Sequence, residues 1–245
     1  MSSQAIRLGD VLLGIETGKS FQTSETPARA DELGVLKVSA LTWSEFRPEE
    51  AKAVVNYEPE DNHRVRAGDL LISRANTREL VGAVVLVEKD YPYRLLSDKT
   101  LRLIIDAKKA DKSFLLYALR SSASRTHIEN FATGSSDSMR NISQAVISSI
   151  PIKLPGLRLQ RQISSLVNTQ LAAAADARQA ARTQAAEADA LIDAVYRQAF
   201  ENIVPVAVPP EFEDAPTGWR WMKLGELAQL ESGHTPSRAR PDWWG

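Results

Sequence analysis

Residues 160–201 read QRQISSLVNTQLAAAADARQAARTQAAEADALIDAVYRQAFE and contain neither Gly nor Pro. Alanine is the best helix former, and the absence of both helix breakers predicts one uninterrupted helix. Such a helix extends about 60 Å, whereas globular helices average about 11 residues. This length favours a spacer or a coiled coil. A single amphipathic helix that lies on a globular core stays open as the alternative.

An apolar seam runs along this helix with alternating spacings of four and three residues. Nine of its ten positions are apolar, which is the heptad pattern of a helix that packs against a partner helix. The exception is Arg178. It either determines the register or the choice of partner, or its side chain extends out of the seam so that the charge stays in solvent. The seam residues are Val167, Leu171, Ala174, Arg178, Ala181, Ala185, Ala188, Ile192, Val195 and Ala199.

The region before the helix mixes short apolar runs with Gly, Pro and Ser. Residues 70–73, 81–87 and 101–105 are apolar or β-branched runs of strand length. A short helix is predicted from Phe114 to Leu119, with Asp111 or Ser113 as its N-cap, and Ser143 is predicted to cap a second one. This mixture predicts an α+β domain.

The region after the helix begins to repeat the start of the chain. Residues 6–19 (IRLGDVLLGIETGK) and 222–235 (MKLGELAQLESGHT) share an order of apolar, basic, Leu, Gly, acidic and apolar positions. A proline-rich linker precedes the second copy. We therefore expect a first domain at 1–155, a long spacer or dimerisation helix at 156–204, and a linker with the truncated start of a second domain at 205–245.

Composition excludes several classes of protein. The chain has no Cys, so it has neither disulfides nor thiolate metal sites. No apolar run has membrane-spanning length and the N-terminus has no signal core, so a cytoplasmic protein without membrane contact is expected. The net charge of −1 counts against a protein that binds DNA alone through a broad basic face, so any DNA affinity is expected to come from local basic loops or from a partner.

Catalytic and cofactor motifs have little support. Residues 14–20 (GIETGKS) have one residue too few between the glycines for a P-loop, so they predict a turn that presents Lys19 and Ser20 to phosphates, or a plain solvated turn. The three histidines, His63, His127 and His234, have no metal-ligand spacing. We therefore expect a chain that is not an enzyme and holds no metal or cofactor.

Several motifs taken in order resemble the specificity subunits of type I restriction–modification systems. They are residues 8–19, 68–74 (GDLLISR) with 80–82, 134–143 (GSSDSMRNIS) with 150–155 (IPIKLP), 160–163 (QRQI), and 219–226 (WRWMKLGE) with 232–237. The family has two recognition domains, each followed by a long helix, and the two helices pack antiparallel. This chain departs from that pattern because it lacks a complete second half.

The resemblance implies a non-catalytic subunit that directs its partners to a bipartite site on double-stranded DNA. Modification subunits would bring S-adenosylmethionine, and a motor and restriction subunit would bring ATP and Mg²⁺. A half-length chain leaves its helix seam without an intramolecular partner, which predicts an antiparallel homodimer and a symmetric, interrupted DNA site.

Polar loops are the candidate DNA readers. Arg pairs with guanine and Asn with adenine in the major groove, and Asp accepts from cytosine. Arg120, Arg125 and His127 are interpreted as phosphate contacts or surface charge. The predicted DNA-contacting residues are Lys19, Ser20, Ser39, Thr42, Arg74, Asn76, Thr77, Arg78, Ser135, Ser136, Asp137, Ser138, Arg140 and Asn141.

Two other functions remain open at this stage. A stand-alone nuclease or methyltransferase domain would show metal-dependent or methyl-donor-dependent activity. A coiled-coil adaptor with a protein-binding head would have no sequence-dependent DNA affinity.

Overall fold

A computed structural model describes residues 4–57, 61–136, 139–200, 217–218 and 222–229. The chain divides into two compact units, residues 1–173 and 174–245, each considered separately. The first unit, called the head below, includes the N-terminal part of the long helix as well as the region expected to end at residue 155.

Fourteen strands and five α-helices are formed by the described residues. The strands are β1 Gln4–Arg7, β2 Leu12–Thr17, β3 Thr23–Pro27, β4 Gly34–Leu36, β5 Ala51–Val54, β6 Arg64–Val65, β7 Leu70–Ser73, β8 Ala75–Asn76, β9 Val84–Leu86, β10 Tyr91–Leu95, β11 Thr100–Ile105, β12 Thr133–Ser136, β13 Met139–Asn141 and β14 Pro151–Leu154. The helices are α1 Lys112–Leu119, α2 Ser122–Phe131, α3 Gln144–Ser148, α4 Leu157–Phe200 and α5 Leu224–Leu227.

A four-stranded antiparallel sheet in the order β2-β11-β7-β9 forms the centre of the head. All four residues of β7 are buried, because both faces of this sheet are covered. Leu70 and Ile72 belong to one apolar cluster, and Leu71 between them belongs to the other. Successive side chains of a strand point to opposite faces, so β7 contributes to two cores at once.

One core lies between this sheet and the short helices. It joins Leu101 and Leu103 of β11 to Leu115 of α1, Ile128 of α2 and Ile147 of α3. The second core joins the other face to the five-stranded sheet β3-β5-β4-β10-β6, through residues such as Leu36, Val65 and Leu96. In that sheet β10 and β4 are parallel and the other pairs are antiparallel.

Local signals predicted several elements correctly. Strands β7 and β11 lie where apolar runs predicted them, and Asp111 rather than Ser113 caps α1 by accepting from the Phe114 amide at 2.9 Å. Ser143 caps α3 through the Val146 amide. The run 81–87 was wrong as a single strand: only Val84–Leu86 is extended, because Gly82 turns the chain at φ +80°.

The long helix α4 begins at Leu157 and ends at Phe200, and its single span confirms the uninterrupted helix that the sequence predicts. Gln160 anchors its start in the head with no exposed surface. Its side chain accepts from the Asp111 amide at 2.8 Å and donates to the carbonyls of Pro155 and Lys109 at 2.7 and 3.2 Å. The α+β head followed by a long helix confirms the predicted fold class.

The second unit contains the rest of α4 and the short helix α5. From residue 174 to residue 199 every position of α4 is exposed. Helix α5 lies in the repeated motif, and its counterpart Leu8–Val11 forms a single 3₁₀ turn. Within the described part of the chain, no helix has the length and apolarity that crossing a membrane requires.

Candidate nucleic-acid interface

The segment 134–141, expected to be a loop, instead lies mostly in two paired strands, β12 and β13. Strands β12 and β13 pair antiparallel with Thr133 opposite Asn141 and Ser136 opposite Met139. Asp137, Ser138 and the side chain of Ser135, all predicted DNA contacts, lie outside the described part of the chain. Ser136 and Met139 are exposed at the two sides of the tip, and Arg140 and Asn141 are half-buried.

Gly134 makes this hairpin possible. Its φ is +145°, and a Cβ at this position would lie 2.4 Å from the Met139 carbonyl oxygen on the facing strand. Backbone cannot move aside as a flexible side chain can, so any larger residue here separates β12 from β13. The Arg140 guanidinium donates to the Gly134 carbonyl at 3.2 Å and braces the same pair.

The hairpin joins the other predicted reading segment. Strand β13 pairs with β8, with Arg140 opposite Asn76 and Asn141 opposite Ala75, and this creates a three-stranded sheet in the order β12-β13-β8. We call it the hairpin sheet. The Ile142 amide donates to the Arg74 carbonyl at 2.9 Å and extends the junction. Two segments about 60 residues apart in the chain thus form one surface element.

Asn76 does not present its amide on an open loop, so the prediction that it reads adenine is wrong. The residue is 2% exposed. Its Nδ2 donates to the Val38 carbonyl at 2.8 Å and to Ser73 Oγ at 3.3 Å, while Oδ1 accepts from the Thr77 amide at 2.9 Å. The side chain tethers β8 to the 3₁₀ turn at Val38–Ala40 and is not available to a base edge.

Three neighbours of Asn76 are at least partly accessible to solvent. Arg74 and Arg78 are exposed and Thr77 is half-buried. The Arg74 amide donates to the Lys99 carbonyl at 2.8 Å, which fixes its backbone while its guanidinium faces solvent. Arg74 therefore combines a positioned backbone with an exposed, fork-shaped donor that suits guanine or phosphate.

Ser39 and Thr42 stabilise their own turn. Ser39 Oγ donates to Glu50 Oε2 at 2.6 Å, and Thr42 Oγ1 donates to the Glu45 carbonyl at 2.9 Å. Both residues are half-buried. These internal bonds order both hydroxyls, and their contact with DNA stays a prediction.

Lys19 and Ser20 are exposed at a turn that is held closely against the segment 96–100. The amides of Gly18 and Lys19 donate to the carbonyls of Thr100 and Leu96 at 3.4 and 3.2 Å. A Cβ on Gly18 would lie 2.2 Å from the Leu96 carbonyl oxygen. The turn can lie this close to the segment 96–100 because glycine has no Cβ. Lys19 Nζ lies 5.0 Å from the centre of the Tyr57 ring.

A shallow groove beside this turn is lined by several cations. Strand β5 places Lys52 on it, the segment after β4 contributes Lys37, and the turn before β11 contributes Lys99. We call it the lysine groove, with Lys19, Lys37, Lys52 and Lys99 as its cations and Asp98 as a carboxylate on its wall. The groove adjoins the hairpin sheet, because Val38 and Lys99 contact both through the bonds given above.

Glu50 partly neutralises the groove. Its Oε2 accepts from Lys37 Nζ at 2.6 Å as well as from Ser39. These hydrogen bonds, Lys37 first, lower the pKa of the Glu50 carboxyl below its ordinary value. Lys37 is therefore held in place as a paired cation.

Arg120, Arg125 and His127, interpreted as phosphate contacts or surface charge, are half-buried and held by internal contacts. Arg120 donates to the Val84 carbonyl, and burial lowers the pKa of its guanidinium. Arg125 donates to the carbonyls of Val81 and Arg78, and its guanidinium lies 5.3 Å from the Trp43 ring centre. His127 Nε2 lies 3.0 Å from Ser149 Oγ.

Sequence reasoning missed several members of this surface. Lys37, Lys52 and Lys99 lie on separate elements and form no motif, so only the pairing of their strands brings them together. Met139 is 39% exposed on the hairpin, where an apolar side chain suits a thymine methyl group. The described residues contain no cluster of three or more His, Asp or Glu side chains arranged to hold a metal ion.

Comparison with known proteins shows which proteins the chain resembles in sequence and in fold. No protein-family model matches the chain. The chain is 30% identical over 196 residues to the type I restriction enzyme EcoEI specificity subunit of Escherichia coli, and the match covers 77% of this chain and 33% of that protein. The chain thus spans one third of the length of this curated relative.

Two solved structures share the fold. One is the HsdS subunit from Thermoanaerobacter tengcongensis, with a TM-score of 0.54 and 19% identity over 85% of this chain and 52% of that one. The other is a chain from a structure of complex assembly and conformational transition in the type I R-M system, with a TM-score of 0.61 and 20% identity over 96% of this chain and 57% of that one. The chain is therefore similar in sequence to a part of a type I restriction enzyme specificity subunit, and it shares its fold with the two solved structures.

Proposed function

We propose that this chain recognises a short sequence of double-stranded DNA through the hairpin sheet and the adjoining lysine groove. The convergence of two distant polar segments on one sheet, next to four lysines, is the observation that carries the proposal. Base-reading groups and phosphate-binding groups then lie side by side, as sequence-specific recognition requires.

The two parts have separate roles. Lys19, Lys52 and Lys99 contact phosphates and supply affinity that does not depend on sequence. Arg74, Arg140, Asn141 and Met139 present groups that distinguish base pairs in the major groove. Of the remaining sequence-based candidates, Ser20, Thr77, Arg78, Ser135 and Ser136 stay in the proposal as contacts to the DNA backbone.

The chain supplies recognition and its partners supply the chemistry. Modification subunits would bind S-adenosylmethionine and methylate the site, and a motor and restriction subunit would use ATP and Mg²⁺. Helix α4 would set the distance to a second recognition unit and dock the modification subunits. Its seam would pair with a second copy of the chain to address a symmetric, interrupted site.

Selection from a random DNA library tests the recognition step directly. The full chain is incubated with the library at physiological salt, bound molecules are sequenced over successive rounds, and enriched duplexes are compared with scrambled ones by fluorescence anisotropy. A defined motif, with affinity at least about 10³-fold above scrambled DNA, is expected.

Enrichment without a motif, or no binding at all, would contradict the proposal and favour an adaptor with a protein-binding head. Methylome sequencing with and without the gene is the matching test in cells. A methylated motif that disappears with the gene and matches the selected half-site is expected.

A further inference from the structure

The turn between β10 and β11 carries a carboxylate that lines the lysine groove. The Thr100 amide donates to the Ser97 carbonyl at 3.0 Å and closes a β-turn with Asp98 and Lys99 at its two central positions. Ser97 and Thr100 are buried, whereas Asp98 and Lys99 are exposed. Asp98 therefore lies at the tip of a turn whose two ends are packed into the head.

Backbone hydrogen bonds from two other segments hold this turn in place. The Arg74 amide donates to the Lys99 carbonyl at 2.8 Å, and the Lys19 amide donates to the Leu96 carbonyl at 3.2 Å. These bonds do not depend on flexible side chains, so the backbone at Asp98 has a defined position next to Arg74. A group that reads a base must be positioned in this way before the DNA binds.

The carboxylate of Asp98 is available to a group from outside the head. Within the part of the chain that the structure describes, it makes neither a hydrogen bond nor an ion pair, although four lysines line the same groove. Glu50, in contrast, is paired with Lys37 at 2.6 Å. Glu50 thus neutralises a cation of the groove, whereas Asp98 keeps its acceptors free. Its charge repels phosphates, so phosphate binding cannot be its role.

DNA offers a carboxylate few groups to bind. A carboxylate only accepts hydrogen bonds, and the donors that base pairs present in the major groove are the amino groups of cytosine and adenine. Adenine has its N7 acceptor beside that amino group, whereas cytosine presents the amino group alone. Cytosine is therefore the better match. Against the acceptors of guanine or thymine, a carboxylate loses its water without gaining a hydrogen bond.

We propose that Asp98 determines specificity by binding the amino group of a cytosine, in the same base pair as the guanine that Arg74 contacts or in the adjacent one. The bond between Arg74 and Lys99 makes the two residues neighbours, and adjacent base pairs are about 3.4 Å apart. A guanidinium matches the guanine acceptors and a carboxylate matches the cytosine donor, so together they are complementary to G·C pairs. The inference rests on the proposed function, because it requires base contacts by this surface.

Library selection with the full chain and two variants tests the assignment. In Asp98→Ala, one cytosine position of the wild-type motif is expected to become degenerate, and affinity for that motif is expected to fall about tenfold. In Asp98→Asn, the preference at this position is expected to change toward adenine, because an amide pairs with both N6 and N7. Affinity of both variants for scrambled DNA should rise by about twofold or more, since a charge that repels phosphates is removed.

Glu88→Gln is the matched control. Glu88 is exposed and lies outside the lysine groove, so its substitution removes one negative charge without touching the proposed contact. Motif and affinity should stay as in the wild-type chain. Thermal unfolding of all three variants should show unchanged midpoints, because neither side chain makes an internal bond with the described residues.

A modified base tests the contact itself. N4-methylcytosine at the selected position still pairs with guanine, but a methyl group replaces the amino hydrogen that faces the major groove. The wild-type chain is expected to bind this duplex about tenfold more weakly than the unmodified one in fluorescence anisotropy. Asp98→Ala is expected to bind the two duplexes equally.

The outcomes separate this inference from the proposed function. A motif that keeps its base preference at every position in Asp98→Ala would overturn the inference and leave the proposed function intact. An equal gain of affinity for the motif and for scrambled DNA would also overturn it, because Asp98 would then be only a repulsive charge. If the wild-type chain selects no motif, the proposed function fails and this inference fails with it.

Discussion

Arg102 Nη2 lies 2.9 Å from Asp69 Oδ2 on the face of β11 opposite Leu101 and Leu103. The two side chains are only 8% and 12% exposed. Arg102 also donates to Glu16 at 2.8 Å and to the carbonyls of Asn62 and Arg64. The buried charge is stabilised because four acceptors bind its two terminal nitrogens, and it joins the central sheet to β6 and to the 3₁₀ turn Asp61–His63 before it.

Breaking this pair is expected to destabilise the head. Asp69→Ala should lower the free energy of unfolding by about 3 kcal/mol, because it leaves the Arg102 charge buried with one carboxylate fewer. Urea titration followed by circular dichroism measures the change. Glu16→Ala is the control, since Glu16 is 51% exposed and its loss should cost under about 1 kcal/mol. Equal costs would show that the burial of Asp69 does not matter.

Removing two groove lysines should weaken DNA binding without changing the preferred sequence. For Lys52→Ala combined with Lys99→Ala, we expect the slope of log affinity against log salt to fall by about 0.9 per lost phosphate contact. Fluorescence anisotropy over a salt series measures the slope. Lys108→Ala, an exposed lysine outside the groove, serves as control. An unchanged slope in the double variant would show that the DNA phosphates contact another surface of the protein.

Substitution of Arg74 should instead relax specificity. Arg74→Ala is expected to lose about 1–3 kcal/mol of discrimination at one position of the motif, because a bidentate donor to one base is removed. Repeating the library selection with this variant shows which position becomes degenerate. A uniform loss of affinity across all sequences would assign Arg74 to phosphate contact.

Asn76 should behave as a structural residue. Asn76→Ala removes the tether to Val38 and leaves buried backbone groups unsatisfied, so we expect a loss of stability of about 1–3 kcal/mol. Thermal unfolding measures it. Thr77→Ala, at the half-buried neighbour, should change the midpoint little. A stable Asn76→Ala protein with altered motif preference would restore the base-reading interpretation.

Gln160 should control how firmly α4 is held by the head. Gln160→Ala removes three hydrogen bonds from a fully buried site, so amides near Asp111 and in the first turns of α4 should lose hydrogen-exchange protection. Hydrogen exchange with mass spectrometry locates the change. Gln162→Ala, two residues away and exposed, should leave protection unchanged. Loss of protection throughout the head would indicate global unfolding instead.

The sequence by itself determined the long helix, the central strands β7 and β11 and the cap Ser143, and it limited the cap of α1 to Asp111 or Ser113. Each depends on local information: alanine content, apolar runs of strand length, or one side chain bonding to a backbone amide three residues away. The resemblance to specificity subunits also came from motif order alone, because order along a chain is a one-dimensional property.

Only the tertiary structure decided which polar residues face solvent. Asn76 and Arg74 are two positions apart in a similar polar context, yet one is buried and the other exposed. That difference follows from the pairing of β8 with β13 and from the Val38 carbonyl, both distant in sequence. The lysine groove also forms through contacts between residues that are distant in the sequence. Local periodicity carries no information about such contacts, so it predicts neither which side chains are buried nor which lysines lie close together.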